Sequence, residues 1–245
     1  MINMVIVMDK TPSYKKPEGK SGEELLDLMD KEHAPIALWA ISNMEIKEDD
    51  VTLDIGCGSG LNIKRFFKKS PKAKSYGLDY SSTSVKKSKM MNQKEVDAGN
   101  IIIEEANVLD MPFDDETFDI ATAFSTVFFW QDIINAFREV KRILKQGGKF
   151  YIIQGLNGTE NYEPKNDVDT EGAVFYNDVE FKDLLQEAGY SKITCFIRQL
   201  KENKKLIRRY DHEVFDEELI DETHMDNIDP EKIDSPEWLC VMAQK

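Results

Sequence analysis

Ten residues constrain this chain more than any others: Val51-Thr52-Leu53-Asp54-Ile55-Gly56-Cys57-Gly58-Ser59-Gly60. An apolar, β-favouring run carries one acid and ends in three glycines spaced two apart. That is the pattern of a buried strand breaking into a glycine loop before a helix. Glycine lets the backbone turn tightly and leaves no Cβ between it and a ligand. The helix predicted from Leu61 points its free N–H groups into the same crevice. The loop is therefore a candidate seat for a nucleoside-bearing cofactor.

Around it the pattern alternates. Strands are predicted at 51–55, 74–78, 101–103, 118–124 and 149–154, with helices near 60–69, 81–94 and 133–144. A helix capped by Asn177 runs to Ala188 and ends at Gly189, and strands follow at 191–197 and 238–243. Alternation of this kind implies a mainly parallel, doubly wound sheet with right-handed crossovers. Ahead of the core, Ser21-x-x-Glu24 reads as a capping box for one helix, and 35–43 as a second helix, with Glu32-His33-Ala34 between them. Residues 155–176 read as a long polar loop. Within 201–235, Ile207, Tyr210, Val214, Phe215, Leu219 and Ile220 approximate a helical stripe, so an inserted helix is predicted there. At 245 residues, a single domain is expected. Its parts are a helical lid (1–50), a core (51–200 and 236–245) and the 201–235 insertion.

Composition narrows the partners. The net charge of −14 argues against nucleic acid, which calls for a basic face. The apolar opening, Met1 to Met8, is too short to span a bilayer and lacks a signal peptide's basic start. It suits a strand or a contact in a homodimer. Cys57, Cys195 and Cys240 show no metal-ligand spacing, and three sparse cysteines fit a reducing cytoplasm. No metal is expected.

Asp79 lies nineteen residues after Gly60, at the end of the predicted second strand. A carboxylate at that strand tip can accept hydrogen bonds from both hydroxyls of a ribose. A nicotinamide cofactor calls for G-x-G-x-x-G, and phosphate cradling for Gly-Lys-Ser/Thr; neither is present. The loop is G-x-G-x-G with Asp54 just ahead of it. That acid would repel a pyrophosphate and favour a cationic amino-acid end.

Asp54 to Gly60 resembles the first motif of the class I S-adenosylmethionine-dependent methyltransferases. Gly77-Leu78-Asp79-Tyr80-Ser81 resembles their second, and Asn107-Val108-Leu109-Asp110-Met111-Pro112-Phe113 the segment written D-A-x-x-L-P-F. Phe118-Asp119-Ile120 through Trp130 resembles the fourth strand and its tip. Arg142-Ile143-Leu144-Lys145-Gln146-Gly147-Gly148 resembles R-x-L-K-P-G-G, with Gln146 in place of proline. The resemblance implies a Rossmann-like sheet of seven strands, the last one antiparallel between the fifth and sixth, with 238–243 as that strand. It implies S-adenosylmethionine as cofactor and S-adenosylhomocysteine as product. The implied cofactor residues are Asp54, Gly56, Cys57, Gly58, Gly60, Asp79, Tyr80, Asn107, Val108 and Phe124. Asn107 stands where aspartate is commoner, and its amide can still accept from an adenine amino group.

The methyl donor arrives activated, so no catalytic signature is expected; positioning and water exclusion do the work. Phe124, Phe129, Trp130 and Tyr14 are the candidate acceptor-pocket residues, and His33 the candidate base. Each has a plainer reading: aromatic packing of the following helix onto the sheet, and a histidine bonded to backbone. No Asn/Asp-Pro-Pro-Tyr/Phe follows the fourth strand and no Pro-Cys nucleophile is present. With the charge, this points to a small-molecule acceptor. A protein methyltransferase, a cofactor-binding module without transfer, and a nicotinamide oxidoreductase are the competing readings.

Overall fold

The computed structural model describes residues 13–155, 172–199, 204–211, 214–221 and 237–245. The expected strand at Met1–Met8, together with Tyr162, His212 and His224, lies outside them.

The strand–helix alternation folds as its periodicity implies. The strands are β1 (Thr52–Ile55), β2 (Ser75–Asp79), β3 (Ile101–Glu105), β4 (Phe118–Phe124), β5 (Leu144–Gly155), β6 (Ser191–Gln199), β7 (Lys204–Asp211), β8 (Val214–Asp221) and β9 (Glu237–Gln244). They form one sheet in the order β3-β2-β1-β4-β5-β9-β6-β7-β8. β1 to β5 pair in parallel, and β9 is antiparallel to both β5 and β6. The helices are α1 (Gly19–Ser42), α2 (Leu61–Lys69), α3 (Ser82–Met91), α4 (Gln93–Asp97), α5 (Ile133–Ile143) and α6 (Asp178–Glu187).

Period-two alternation divides the central strands between two cores. On β5, Phe150 and Ile152 face Phe137 and Val140 of α5 and Phe181 of α6. Tyr151 and Ile153 face Ile36, Trp39 and Ile41 of α1 and Phe66 of α2. β9 splits in the same way, with Leu239 and Val241 on one side and Trp238 and Cys240 on the other. Helices thus cover both faces, as a parallel sheet with no solvated face requires.

Two expectations are corrected. First, α1 is one helix of 24 residues with Pro35 inside it. Proline removes one backbone donor, but Leu25 and Leu26 before it and Ile36, Ala37, Trp39 and Ile41 after it are all buried. Packing of both halves holds the helix through the break. It starts at Gly19 with no side-chain cap, so Ser21 and Glu24 are not its capping box. Second, the insertion is strand, not helix. β7 adds to β6 and β8 to β7, both antiparallel, with Tyr210 opposite Phe215 and Asp211 opposite Val214. The chain direction therefore reverses between β7 and β8. The apparent helical stripe was counted across that reversal. The seven expected strands are β1 to β6 and β9, with β9 in the expected antiparallel place between β5 and β6, and β7 and β8 extend the described sheet to nine. The Asn177 cap is present as a full capping box with Glu180. Among the described residues, no helix is long and apolar enough to cross a membrane.

Candidate functional site

Two clefts open at the carboxyl ends of β1, β2 and β4 and adjoin at Gly56. The first, about 140 Å³, is lined by Lys15, Ile55, Leu78, Asp79, Tyr80, residues 106–109, Thr126, Phe129, Trp130 and Gln131. The second, about 70 Å³, lies between the glycine loop and α1. Its polar lining is Asp30, His33, Asp54, Ser59, Asn62, Arg65 and Ser125, and its apolar lining includes Leu26, Met29, Ile36 and Phe124.

The loop shape depends on two of its glycines. Gly56 has φ +72°, and a Cβ there would meet Thr126 Oγ1 at 2.5 Å. Gly60 has φ +84°, and its Cβ would meet Ser88 Oγ at 2.2 Å. Left-handed backbone and close neighbours both exclude other residues. The loop hydrogen-bonds to β2 directly: the N–H groups of Gly56 and Cys57 donate to Leu78 O at 2.7 and 3.1 Å. Asp79 is buried at the β2 tip. Its Oδ2 accepts from Gly58 N at 3.0 Å and its Oδ1 from Ser81 N at 2.9 Å. Each carboxylate oxygen carries two acceptor sites, so one on each is left for a ligand. Burial pushes the Asp79 carboxyl up, and the backbone donors from Ser81, Gly58 and Tyr80 restrain it.

Asp54 occupies the equivalent place on β1, facing the second cleft. Thr122 Oγ1 donates to its Oδ1 at 2.8 Å. Burial pushes its carboxyl up to about 7; the charge of Asp79 adds to this, while Thr122 and Arg65 oppose it. The two acids thus repel each other across the loop.

The segment carrying Asn107 and Val108 is held from α5. Arg142 pairs with Glu139 at 2.7 Å and donates to the carbonyls of Phe113 and Met111, while Glu139 accepts from Met111 N at 3.0 Å. The Arg142-to-Gly148 run thereby positions the cleft from outside it. Asn107 Oδ1 accepts from Leu109 N at 2.9 Å, which closes the turn that presents Val108. A strap of residues 13–18 crosses over β2: Tyr80 Oη donates to Lys15 O, and Ser81 Oγ to Pro17 O at 2.6 Å.

The structure separates residues that the sequence grouped together. Phe129 and Trp130 line the first cleft with Asp79, whereas Phe124 and His33 line the second. Trp130 stacks on Phe150 at 6.3 Å, so it also packs α5 onto the sheet. Tyr14 is half-buried in the strap and lines neither cleft. Burial pushes His33 down, against the pull of Glu32 and Asp30. Asp30, Ser59, Asn62, Arg65, Lys15 and Thr126 were missed. Asp30 carried a legible signal, since it lies three residues before His33 and so shares its helix face. Arg65 and Thr126 carried none.

A methyltransferase-domain family model matches residues 53–152. YrhH of Bacillus subtilis, which carries a methyltransferase name, is 35% identical over 120 residues, or 49% of this chain. A 2-phytyl-1,4-naphtoquinone methyltransferase of Trichormus variabilis is 34% identical over 108 residues, or 44% of this chain. The matched stretch spans 66% of the first relative and 47% of the second. In fold, the chain is similar to a SAM-dependent methyltransferase of Aquifex aeolicus, with TM-score 0.62 at 16% identity, covering 91% of this chain and 97% of that one.

Proposed function

With residues 53–152 forming a methyltransferase domain of the class I S-adenosylmethionine-dependent type, we propose that the chain transfers a methyl group from that cofactor to a small-molecule acceptor. One observation carries the reading. Two carboxylates stand at neighbouring strand tips, and a bare glycine loop joins the clefts they face.

This donor set fits the cofactor. Asp79 has an acceptor site left on each carboxylate oxygen for the ribose hydroxyls. Asn107 and Val108 face the same cleft for adenine, with Tyr80 beside them. Asp54 would face the ammonium of the methionine arm, and the loop N–H groups its carboxylate. The bound cofactor supplies a methyl group on a sulfonium, already activated for displacement by an in-line nucleophile. The chain's own part is placement. The apolar side of α1, with Leu26, Met29 and Ile36, covers the second cleft and excludes water. His33, kept neutral by burial, accepts a proton from an acceptor that arrives protonated.

We also read the chain as one domain, since β9 inserts between β5 and β6 and ties the C-terminus into the core. Three free, buried cysteines are consistent with a cytoplasmic setting. Calorimetry with S-adenosylhomocysteine tests the core claim. Binding is expected, and Asp79→Ala should weaken it at least about tenfold, the effect of losing a charge-assisted bidentate acceptor. Absence of binding to the wild-type chain would refute the reading.

A further inference from the structure

The second cleft carries more charge than a methionine arm uses. Asp54 complements its ammonium, and the loop N–H groups and Arg65 its carboxylate, which leaves Asp30 unassigned. Asp30 projects from α1 on the same face as His33, one turn away. It is half-buried, and Ser59 Oγ donates to its Oδ1 at 2.6 Å. The charges of Lys87 and Arg65 act on it, but among the described residues neither forms a salt bridge with it. A half-buried carboxylate with no cation in contact with it is costly, and in a ligand cleft a cationic ligand offsets that cost.

We propose that the α1 side of this cleft takes a small amine as methyl acceptor, with Asp30 anchoring its ammonium form. The inference rests on the methyl-transfer reading and specifies its substrate class.

The sign of the charge discriminates between acceptor types. A phenol, alcohol or thiol must approach an anion to become nucleophilic, and a neighbouring carboxylate opposes that. An amine is cationic before it loses its proton and cationic again once methylated, so the same carboxylate stabilises it at both stages. The proton passes from the ammonium to the neutral imidazole of His33, leaving a neutral amine and an imidazolium that Asp30 and Glu32 stabilise. Met29, Ile36 and Phe124 wall the space.

The test uses the full chain saturated with S-adenosylhomocysteine. It is titrated with ethylamine, cyclohexylamine and benzylamine, each beside its alcohol and carboxylate counterpart. At least one amine should bind about tenfold or more tighter than its alcohol, and the carboxylates most weakly. Asp30→Asn, which can still accept from Ser59, should abolish the amine preference and leave S-adenosylhomocysteine affinity within about threefold. If no amine is preferred over its alcohol, or the preference survives in Asp30→Asn, the inference is wrong. A loss of more than tenfold in S-adenosylhomocysteine affinity would assign Asp30 to the cofactor and also overturn it. The wild-type comparison decides the matter even if the variant does not fold. Failure of S-adenosylhomocysteine to bind the wild type would instead refute the methyl-transfer reading.

Discussion

Replacing Asp54 by asparagine removes one titration from the core and leaves the shape intact. The folded chain holds this carboxyl up to about 7, against about 3.9 in an unfolded chain. Because the folded value is the higher one, the folded state keeps a proton that the unfolded state has released between pH ~4 and ~7. The stabilisation is therefore full below about pH 4 and is lost as pH rises to about 7, at about 1.4 kcal/mol per pH unit. Over the whole window the loss is about 4 kcal/mol. Asparagine keeps an oxygen to accept from Thr122 Oγ1 and does not titrate. Urea unfolding of the cofactor-free protein at pH 5 and pH 8 should show the stability of Asp54→Asn, relative to wild type, rising by about 3 kcal/mol between the two. Relief of Asp79, whose charge also acts on Asp54, adds in the same direction. Binding of S-adenosylhomocysteine below pH 7 should release a proton from the wild type and none from the variant. A stability difference constant to about 0.5 kcal/mol across this range would refute the burial argument.

Gly60→Ala combines a left-handed φ of +84° with a Cβ at 2.2 Å from Ser88 Oγ. It should destabilise by about 3 kcal/mol and lower the melting temperature by roughly 6–12 °C in a chain of this size, measured by calorimetry. Asp178 Oδ2 accepts from Arg208 Nη1 at 2.7 Å and Tyr210 Oη at 2.6 Å. Asp178→Ala should cost about 3–5 kcal/mol in urea unfolding, the range for a buried pair losing one partner. Tyr80→Phe removes the bond from its hydroxyl to Lys15 O. Amide exchange in residues 13–18 should quicken about fivefold, and unchanged protection would show that the strap is held by other contacts.

The donor side of the molecule was legible because its determinants are local. Gly56, Gly58 and Gly60 declare a turn by their own backbone freedom, and Asp79 follows one crossover later at the next strand tip. β9 was legible because 238–243 is an unbroken apolar run and the family resemblance implies an antiparallel strand between the fifth and sixth. The rest was not legible, because packing decides it. Whether Pro35 ends a helix depends on what Trp39 and Ile41 find beneath them, namely Tyr151 and Trp238 in the core. Whether Ile207 and Tyr210 lie on a helix or a strand depends on the open edge of β6. Trp130 could not be divided between cleft and core without Phe150 stacked on it.

That asymmetry follows from how the site is built. Gly56 is the shared wall of the two clefts, and Thr126 on the β4 tip crowds it so closely that no side chain fits between them. One cleft is then closed by β2, β3 and the Asn107 turn, elements whose residues are fixed by sheet register and by Arg142. The other is closed by one side of α1, where Ile36 is shared with the core while Asp30 and His33 are not. Residues such as Asp30 and His33 can change without disturbing that core contact. The Asp79 cleft is therefore lined by residues that the sheet also needs, and the α1 cleft in part by residues that it does not. On the proposed function, acceptor specificity would vary through the charge of the α1 face while the fold and cofactor stay the same.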